Sequence, residues 1–344
     1  MTQYPVSPVI CRVTRGDLVE CLHRGDIAVV DAASRLVASV GDPSKVTYMR
    51  SSAKPLQALA VIESGAAERF GFSPRELAVM CGSHSGEDFH VEVVAGILAK
   101  AGLCEDYLAC GVHPPICRSQ TVRLIREGRP ATPLYNNCSG KHAGMLALCV
   151  HLGLPLDGYW KPDHPVQRMM KTIVAEVSGY PEERIVVGVD GCGVCVFGLP
   201  LNSMALAYAR LVTWDALPPD RPGRAAAAAR LVEAMVTNPD MVGGTGRLCT
   251  DLMRGAGGRL IGKEGADGVY CAATRDSGFG FAFKVEDGNS RALGPALLSA
   301  LEQLGALPPA DLARLGGLKR PPVVNHRGET VGFVEACFTL ERRS

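Results

Sequence analysis

The stretch "MRSSAKPLQALAVIESG", residues 49–65, decides the reading of the fold. Ser51 and Ser52 precede an apolar-periodic run (Leu56, Leu59, Ala60, Ile62), which makes either serine a candidate N-cap. Pro55 is tolerated only in a first helical turn, so it fixes where the helix starts. Ser51 and Lys54 then stand three apart at a helix N-terminus, on the same side. A serine hydroxyl needs a base to become a nucleophile, and a neutral lysine amine is one. The helix dipole disfavours an ammonium there by about 0.3–1 kcal/mol, less than one pKa unit. A lysine base therefore needs burial or a second cation nearby. Alone, the motif reads equally as a capping serine beside a solvated lysine.

Two further stretches supply partners. "CGSHSGE" (81–87) places Ser83 and Ser85 around His84 in a small-residue turn before a helix. "LIGKEGADGVY" (260–270) places Lys263 two residues before Gly265, just ahead of an expected strand. S-x-x-K, S-x-S and K-x-G in that order parallel the three elements of penicillin-recognising serine acyl enzymes. Ser85 stands where those enzymes usually carry Asn or Tyr, and Ser83 follows Ser51 closely. Lys263 is the second cation that Lys54 needs.

The thiols form another group. "NNCSGKHAG" (136–144) has the Gly-Lys pair of a phosphate loop, but Tyr135 and His142 occupy the positions that need Gly and Ser or Thr, so nucleotide binding is set aside. "VDGCGVCVFGLPL" (189–201) puts Asp190 and Cys192 in a turn after the β-branched run "RIVVGV". Cys192-x-x-Cys195 is half of a zinc ribbon, and no second C-x-x-C exists. Two cysteines with a nitrogen ligand would hold one Zn²⁺ with an open position. Buried structural thiols, or a Cys138–His142 hydrolase dyad, are the other readings. The Gly-rich "VGGTGR" (242–247) is a loop for close backbone approach and a candidate pocket lining.

The chain of 344 residues has room for one large or two medium domains. A net charge of +1 with 21% charged residues leaves no broad basic field for nucleic acid. No apolar run approaches the roughly 18 residues of a membrane span, and the N-terminus lacks signal-peptide character. Thirteen cysteines without a secretory signal point to reduced thiols in a cytoplasm. Residues 8–40 read as short strands ("VICRVTRG", "LVECLHRG", "IAVVDA", "RLVASVGD") punctuated by Gly16, Gly25 and Gly41, an antiparallel meander. "GVYCAAT", "GFGFAFKVEDG" and "PPVVNHRGETVGFVEA", with a turn at Arg327-Gly328, repeat that texture. Helices are expected at 55–64, 88–102, 165–178, 224–237 and 292–304. The class is α+β: both chain ends build one antiparallel sheet (8–45 and 258–340) and a helix-rich region (46–257) carries the site, as one catalytic unit. Pro/Gly-rich 216–223 is the best candidate for a flexible connection.

Together "RSSAKPLQ", "CGSHSGE", "YNNCSGKHAGML", "HPVQ" (164–167), "DGCG" (190–193) and "GKEGADGVY" resemble the class 3, rhizobial-type L-asparaginase family, from about residue 10 to beyond 330. The resemblance implies a serine-β-lactamase-like amidohydrolase, homodimeric, that hydrolyses L-asparagine to L-aspartate and ammonia through two Ser-Lys tandems. Those are Ser51 with Lys54 and Ser83 with Lys263. It further implies zinc held by Cys138, Lys141 and Cys192, with Asp190 close by; Cys195, where a proline is expected, could compete for the metal. For the substrate, Arg50 is a candidate for the α-carboxylate and Glu87 for the α-ammonium, with Asn136 and His142 as hydrogen-bonding partners. Zinc would position substrate rather than make the nucleophile, since serines already offer one. A penicillin-type acyl hydrolase, a glutaminase and a non-catalytic zinc- or thiol-binding protein are the rival readings.

Overall fold

The computed structural model describes residues 6–217, 221 and 223–343. Positions 218–220 and 222 of the expected connection lie outside the described residues. The strands are β1 (Val9–Arg15), β2 (Leu18–Val30), β3 (Leu36–Val40), β4 (Val46–Tyr48), β5 (Val186–Val189), β6 (Cys195–Pro200), β7 (Leu260–Gly265), β8 (Val269–Thr274), β9 (Gly280–Val285), β10 (Pro322–Val324), β11 (Thr330–Ala336) and β12 (Glu341–Arg342). Nine form one antiparallel sheet in the order β10-β11-β1-β2-β9-β8-β7, with β3 against β2 and β12 against β3. The two chain ends therefore share a sheet, and the class is α+β. β4, β6 and β5 make a second, three-stranded sheet inside the helix-rich region, which the sequence reading did not anticipate.

The expected meander needs one correction. "LVECLHRG" and "IAVVDA" are a single strand, β2, whose first half pairs β1 and whose second half pairs β9 and β3. Gly25 does not turn the chain. It lies inside the strand, where a Cβ would meet the Lys284 carbonyl oxygen at 2.5 Å and Ile10 Cδ1 at 2.7 Å. The glycine serves close approach, which sequence cannot separate from a turn.

The helix Lys54–Glu63 is buried on every side from Lys54 to Ile62. It packs against the helices Ser139–Leu152, Pro165–Ser178 and Arg224–Thr237. An all-round apolar helix is stable only in such a position. Its start differs from expectation: Ser51 lies in a preceding 3-10 turn, Arg50–Ala53, and the N-cap is Ala53 with no side-chain cap bond. The helices at 165–178 and 224–237 span those numbers, and the C-terminal one is Leu293–Leu304. The helix Leu201–Val212 covers the sheet over β8 and β9, with Ala205 against Gly280, where no Cβ would fit. One continuous cluster of buried side chains runs from Ile10 to Leu340. Leu59, fully buried on the helix that carries Lys54, should cost about 2–5 kcal/mol as Leu59→Ala. Urea unfolding of the variant measures this directly.

Candidate active site

Three segments far apart in sequence converge on one hydroxyl. Ser83 stands in the turn between the helices Pro74–Met80 and Asp88–Lys100. Lys54 reaches it from the first turn of the central helix and Lys263 from the edge strand β7. Lys54 Nζ donates to Ser83 Oγ at 3.0 Å, to the Gly82 carbonyl at 2.6 Å and to the Asn137 carbonyl at 3.3 Å. Lys263 Nζ donates to the same Ser83 Oγ at 2.9 Å and to the Glu264 carbonyl at 2.6 Å. Both amines are buried. Lys263 was expected just before a strand; it lies within one, paired with Cys271.

Burial lowers both lysines. For Lys263 burial, helped by the charges of Lys54 and Arg247 and opposed by Cys249 and Glu264, brings the pKa down to about 8. For Lys54 burial dominates, Lys141 adds to it, and Cys138 and Cys192 pull the other way. A neutral Lys263 amine is thus within reach near pH 8, and Lys54 is shifted in the same direction, as base chemistry requires.

Ser51 is half-buried, and its side chain makes no hydrogen bond with any described residue. The structure does not join Ser51 to Lys54: that lysine is turned to Ser83 instead. Arg50, with φ +51°, pairs with Asp190 at 3.0 Å and also with Asp267. Its guanidinium is therefore engaged, and so is the Asp190 carboxylate, which accepts the Gly191 N–H at 2.8 Å as well. Burial raises Asp190, but Lys141, that N–H and Arg50 outweigh it and leave the carboxyl below its ordinary value. Asn136 spends its amide on the Cys110 and Gly111 carbonyls (2.9 and 3.1 Å) and on the Cys138 N–H (2.9 Å). It shapes the thiol segment. His142 Nδ1 meets the Tyr159 hydroxyl at 2.6 Å, while its buried Nε2 has no partner among the described residues. Glu87 Oε2 accepts the Thr245 N–H at 2.9 Å.

"NNCSGKHAG" proves to be a loop ending at Cys138, after which the helix Ser139–Leu152 begins. That helix start aims Lys141 at Cys192, with Nζ 3.1 Å from Sγ. Cys138 and Cys192 share a hydrogen bond. That bond, with Lys54 and Lys141 alongside, holds Cys138 well below the usual thiol range and pushes Cys192 up. Burial pulls Lys141 down, yet the two sulfurs more than restore it. Among the described residues no group of three His, Cys, Asp or Glu side chains could hold a metal. The donors at hand are two sulfurs and a lysine nitrogen, all buried, with Lys141 on Cys192 and Cys192 beside Cys138, and they fit Zn²⁺ if Lys141 yields its proton. Asp190 is committed elsewhere, and the Cys195 thiol makes no hydrogen bond with the described residues.

Sequence reasoning passed over His84. It is fully buried, accepts the Gly86 N–H on Nδ1 at 3.2 Å and meets Ser139 Oγ at 2.8 Å on Nε2. Since Ser139 donates to the Leu134 carbonyl at 2.9 Å, the pattern closes with the imidazole proton on Nε2. Burial keeps this ring neutral. It ties the Ser83 turn to the thiol segment. Its place between two serines was the one signal available.

The family model for L-asparaginase II matches residues 11–336. No curated protein matches the chain. Solved structures with a similar arrangement include a β-lactamase from Mycobacterium bovis (13% identity, TM-score 0.43, covering 82% of this chain and 95% of that one). Another is a putative β-lactamase from Bacteroides dorei (14%, 0.41, 81% and 93%), and a third a class C β-lactamase from Rhodobacter sphaeroides (15%, 0.39, 86% and 93%). Likeness at that level says nothing of the reaction.

The lysine environment sets a pH dependence. If Lys263 must be neutral to take a proton, kcat/KM should climb as pH rises through about 8. Lys263→Arg, whose side chain stays charged, should lose that limb along with most activity. A profile flat across this range in the unmodified protein would contradict the base role.

Proposed function

The chain belongs to the L-asparaginase II family, and from that membership we propose that it hydrolyses the side-chain amide of L-asparagine to L-aspartate and ammonia. The observation that carries the chemistry is Ser83 Oγ between two buried lysines, at 3.0 and 2.9 Å. A neutral lysine takes the Ser83 proton as Oγ attacks the amide carbon. The C–N bond then breaks, and the nitrogen leaves as ammonia with a proton returned from the lysine. Water, deprotonated by the same amine, cleaves the aspartyl ester and restores the serine. The second lysine, if charged, offsets negative charge on the transition state.

Ser51 is the alternative nucleophile. Its hydroxyl makes no hydrogen bond with the described residues, and it precedes Lys54 by three residues at the start of the central helix. In that case Ser83 relays the proton between Ser51 and the lysines. Trapping the acyl-enzyme with a slowly hydrolysed asparagine analogue and locating it by peptide mass spectrometry separates the two.

Zn²⁺ belongs to the proposal as a structural and positioning ion on Cys138, Cys192 and Lys141; when bound, it supplies a Lewis-acid centre for orienting a polar substrate group. The reducing cytoplasmic setting is carried forward with it, supported by thirteen free cysteines.

Ser83→Ala should lower asparagine turnover at least about a hundredfold, the low end for a group in proton transfer or attack. Lys54→Arg should be nearly as damaging as Lys54→Ala, because arginine keeps the charge but cannot act as a base. Ammonia release from asparagine, with glutamine run alongside, reads both. Near-wild-type rates in Ser83→Ala would sink the reading. For the metal, Cys138→Ala and Cys192→Ala should each abolish stoichiometric zinc by elemental analysis, since so small a ligand set cannot spare a thiolate. A Cys138→Ala protein that keeps its zinc refutes the assignment.

A further inference from the structure

A free amino acid carries a carboxylate two carbons from its side-chain amide, and the residue first suited to it, Arg50, is already bound to Asp190 and Asp267. A second arginine, Arg247, is near enough for its charge to act on Lys263 and His84. Arg247 ends the Gly-rich loop 242–247, and this loop is pressed onto the Ser83–Glu87 turn. Ser83 N–H donates to the Val242 carbonyl at 2.9 Å, Ser85 Oγ to the Gly243 carbonyl at 3.0 Å and Thr245 N–H to Glu87 Oε2 at 2.9 Å. Gly244, at φ +119°, has no room for a side chain: a Cβ would meet Ser85 Oγ at 2.4 Å and Glu87 Oε2 at 2.7 Å. Close approach of this kind is what the loop's glycines permit.

The Arg247 guanidinium is only half used. NH2 donates to Glu264 Oε2 at 3.0 Å, and Glu264 is the residue whose carbonyl holds Lys263 Nζ at 2.6 Å. NH1 is buried and has no hydrogen-bond partner among the described residues. A charged donor shut away without an acceptor is costly, and native proteins seldom keep one without a use for it. The free arm belongs to a planar fork whose geometry matches a carboxylate. Two bonds from Arg247 through Glu264 lead to Lys263, and a third leads to Ser83 Oγ.

We propose that Arg247, through its unpartnered NH1, binds the α-carboxylate of the amino-acid substrate and so selects amino acids from simple amides. This rests on the asparaginase reading and deepens it. Glu264 holds the fork in place, and the turn of Gly243 and Gly244 holds the loop that carries it against the Ser83–Glu87 turn.

The test compares two substrates that differ in one group. 3-Aminopropanamide is asparagine without its α-carboxylate. Steady-state ammonia release gives kcat/KM for each amide with the wild type, Arg247→Gln and Arg247→Lys. The wild type should favour asparagine by about tenfold to a hundredfold, the value of one charge-assisted contact. In Arg247→Gln that ratio should fall to near one, through a higher KM for asparagine. Arg247→Lys keeps a charge without the fork and should give an intermediate ratio. An unchanged ratio in Arg247→Gln, or a parallel loss for both amides, overturns the proposal and leaves Arg247 a brace for Glu264. Should that variant fail to fold, the wild type still decides: equal use of the two amides overturns the proposal. Ammonia from neither amide in the wild type defeats the asparaginase reading, and this inference with it.

Discussion

Two ammonium-bearing side chains on one serine oxygen is the constraint from which the rest of this structure follows. A lysine amine removed from water loses its hydration, and charged neighbours make the loss worse. Lys54 and Lys263 meet that cost with carbonyl acceptors, those of Gly82, Asn137 and Glu264, and by easing toward the neutral form. Each acceptor comes from a different segment. The central helix, the Ser83 turn, the thiol loop and β7 must all be in place before either amine is satisfied. That requirement explains why the chain ends form one sheet: β7 reaches the site only because β2 from the N-terminal part pairs with β9, next to β8 and β7.

Much of this was legible in the residues. Pro55 fixed the first turn of the central helix, and alternating and periodic runs gave most strands and the long helices. The site residues were also visible as types. What spacing could not supply was direction. Ser51 and Lys54 are three apart and share a face, yet a lysine stem is long enough to choose among several acceptors, and buried carbonyls at Gly82 and Asn137 drew it to Ser83. The same holds for Asn136 and Arg50, whose polar groups were read as substrate contacts. In the fold they are engaged by acceptors from distant segments, Cys110 and Gly111 for Asn136 and Asp190 and Asp267 for Arg50. A buried amide or guanidinium needs partners, and sequence does not show which the fold brings near. Gly25 was misread for a related reason, since a glycine needed for close packing and one needed for a turn look alike in sequence.

The thiol segment shows how electrostatics can bind two sites into one. Lys141 faces Cys192, Cys138 bonds Cys192, and the charges of both sulfurs and of Lys141 are felt at Lys54. A thiolate at Cys138 raises Lys54 toward its charged form; a neutralised sulfur leaves it freer to act as a base. Any cation taken up by the sulfurs withdraws their negative charge from Lys54 and replaces the Lys141 proton. The proton affinity of Lys54 is therefore linked to the occupancy of the thiol pair, whether or not a metal touches substrate.

Asp190 and Arg50 close that circuit mechanically. Arg50 occupies a left-handed backbone conformation that non-glycine residues adopt at some cost, and it directly precedes Ser51. Its guanidinium is held by Asp190, which lies two residues before Cys192 in the same turn. A carboxylate that swung toward an ion on the sulfurs would have to release Arg50, and the strained backbone at Arg50 would lose one of its two anchors. The other, Asp267, comes from the β7–β8 turn of the main sheet. Asp190 is thus better placed to hold the Ser51 turn than to ligate. The position of that serine depends on two loops, one attached to the thiols and one to the strand that carries Lys263.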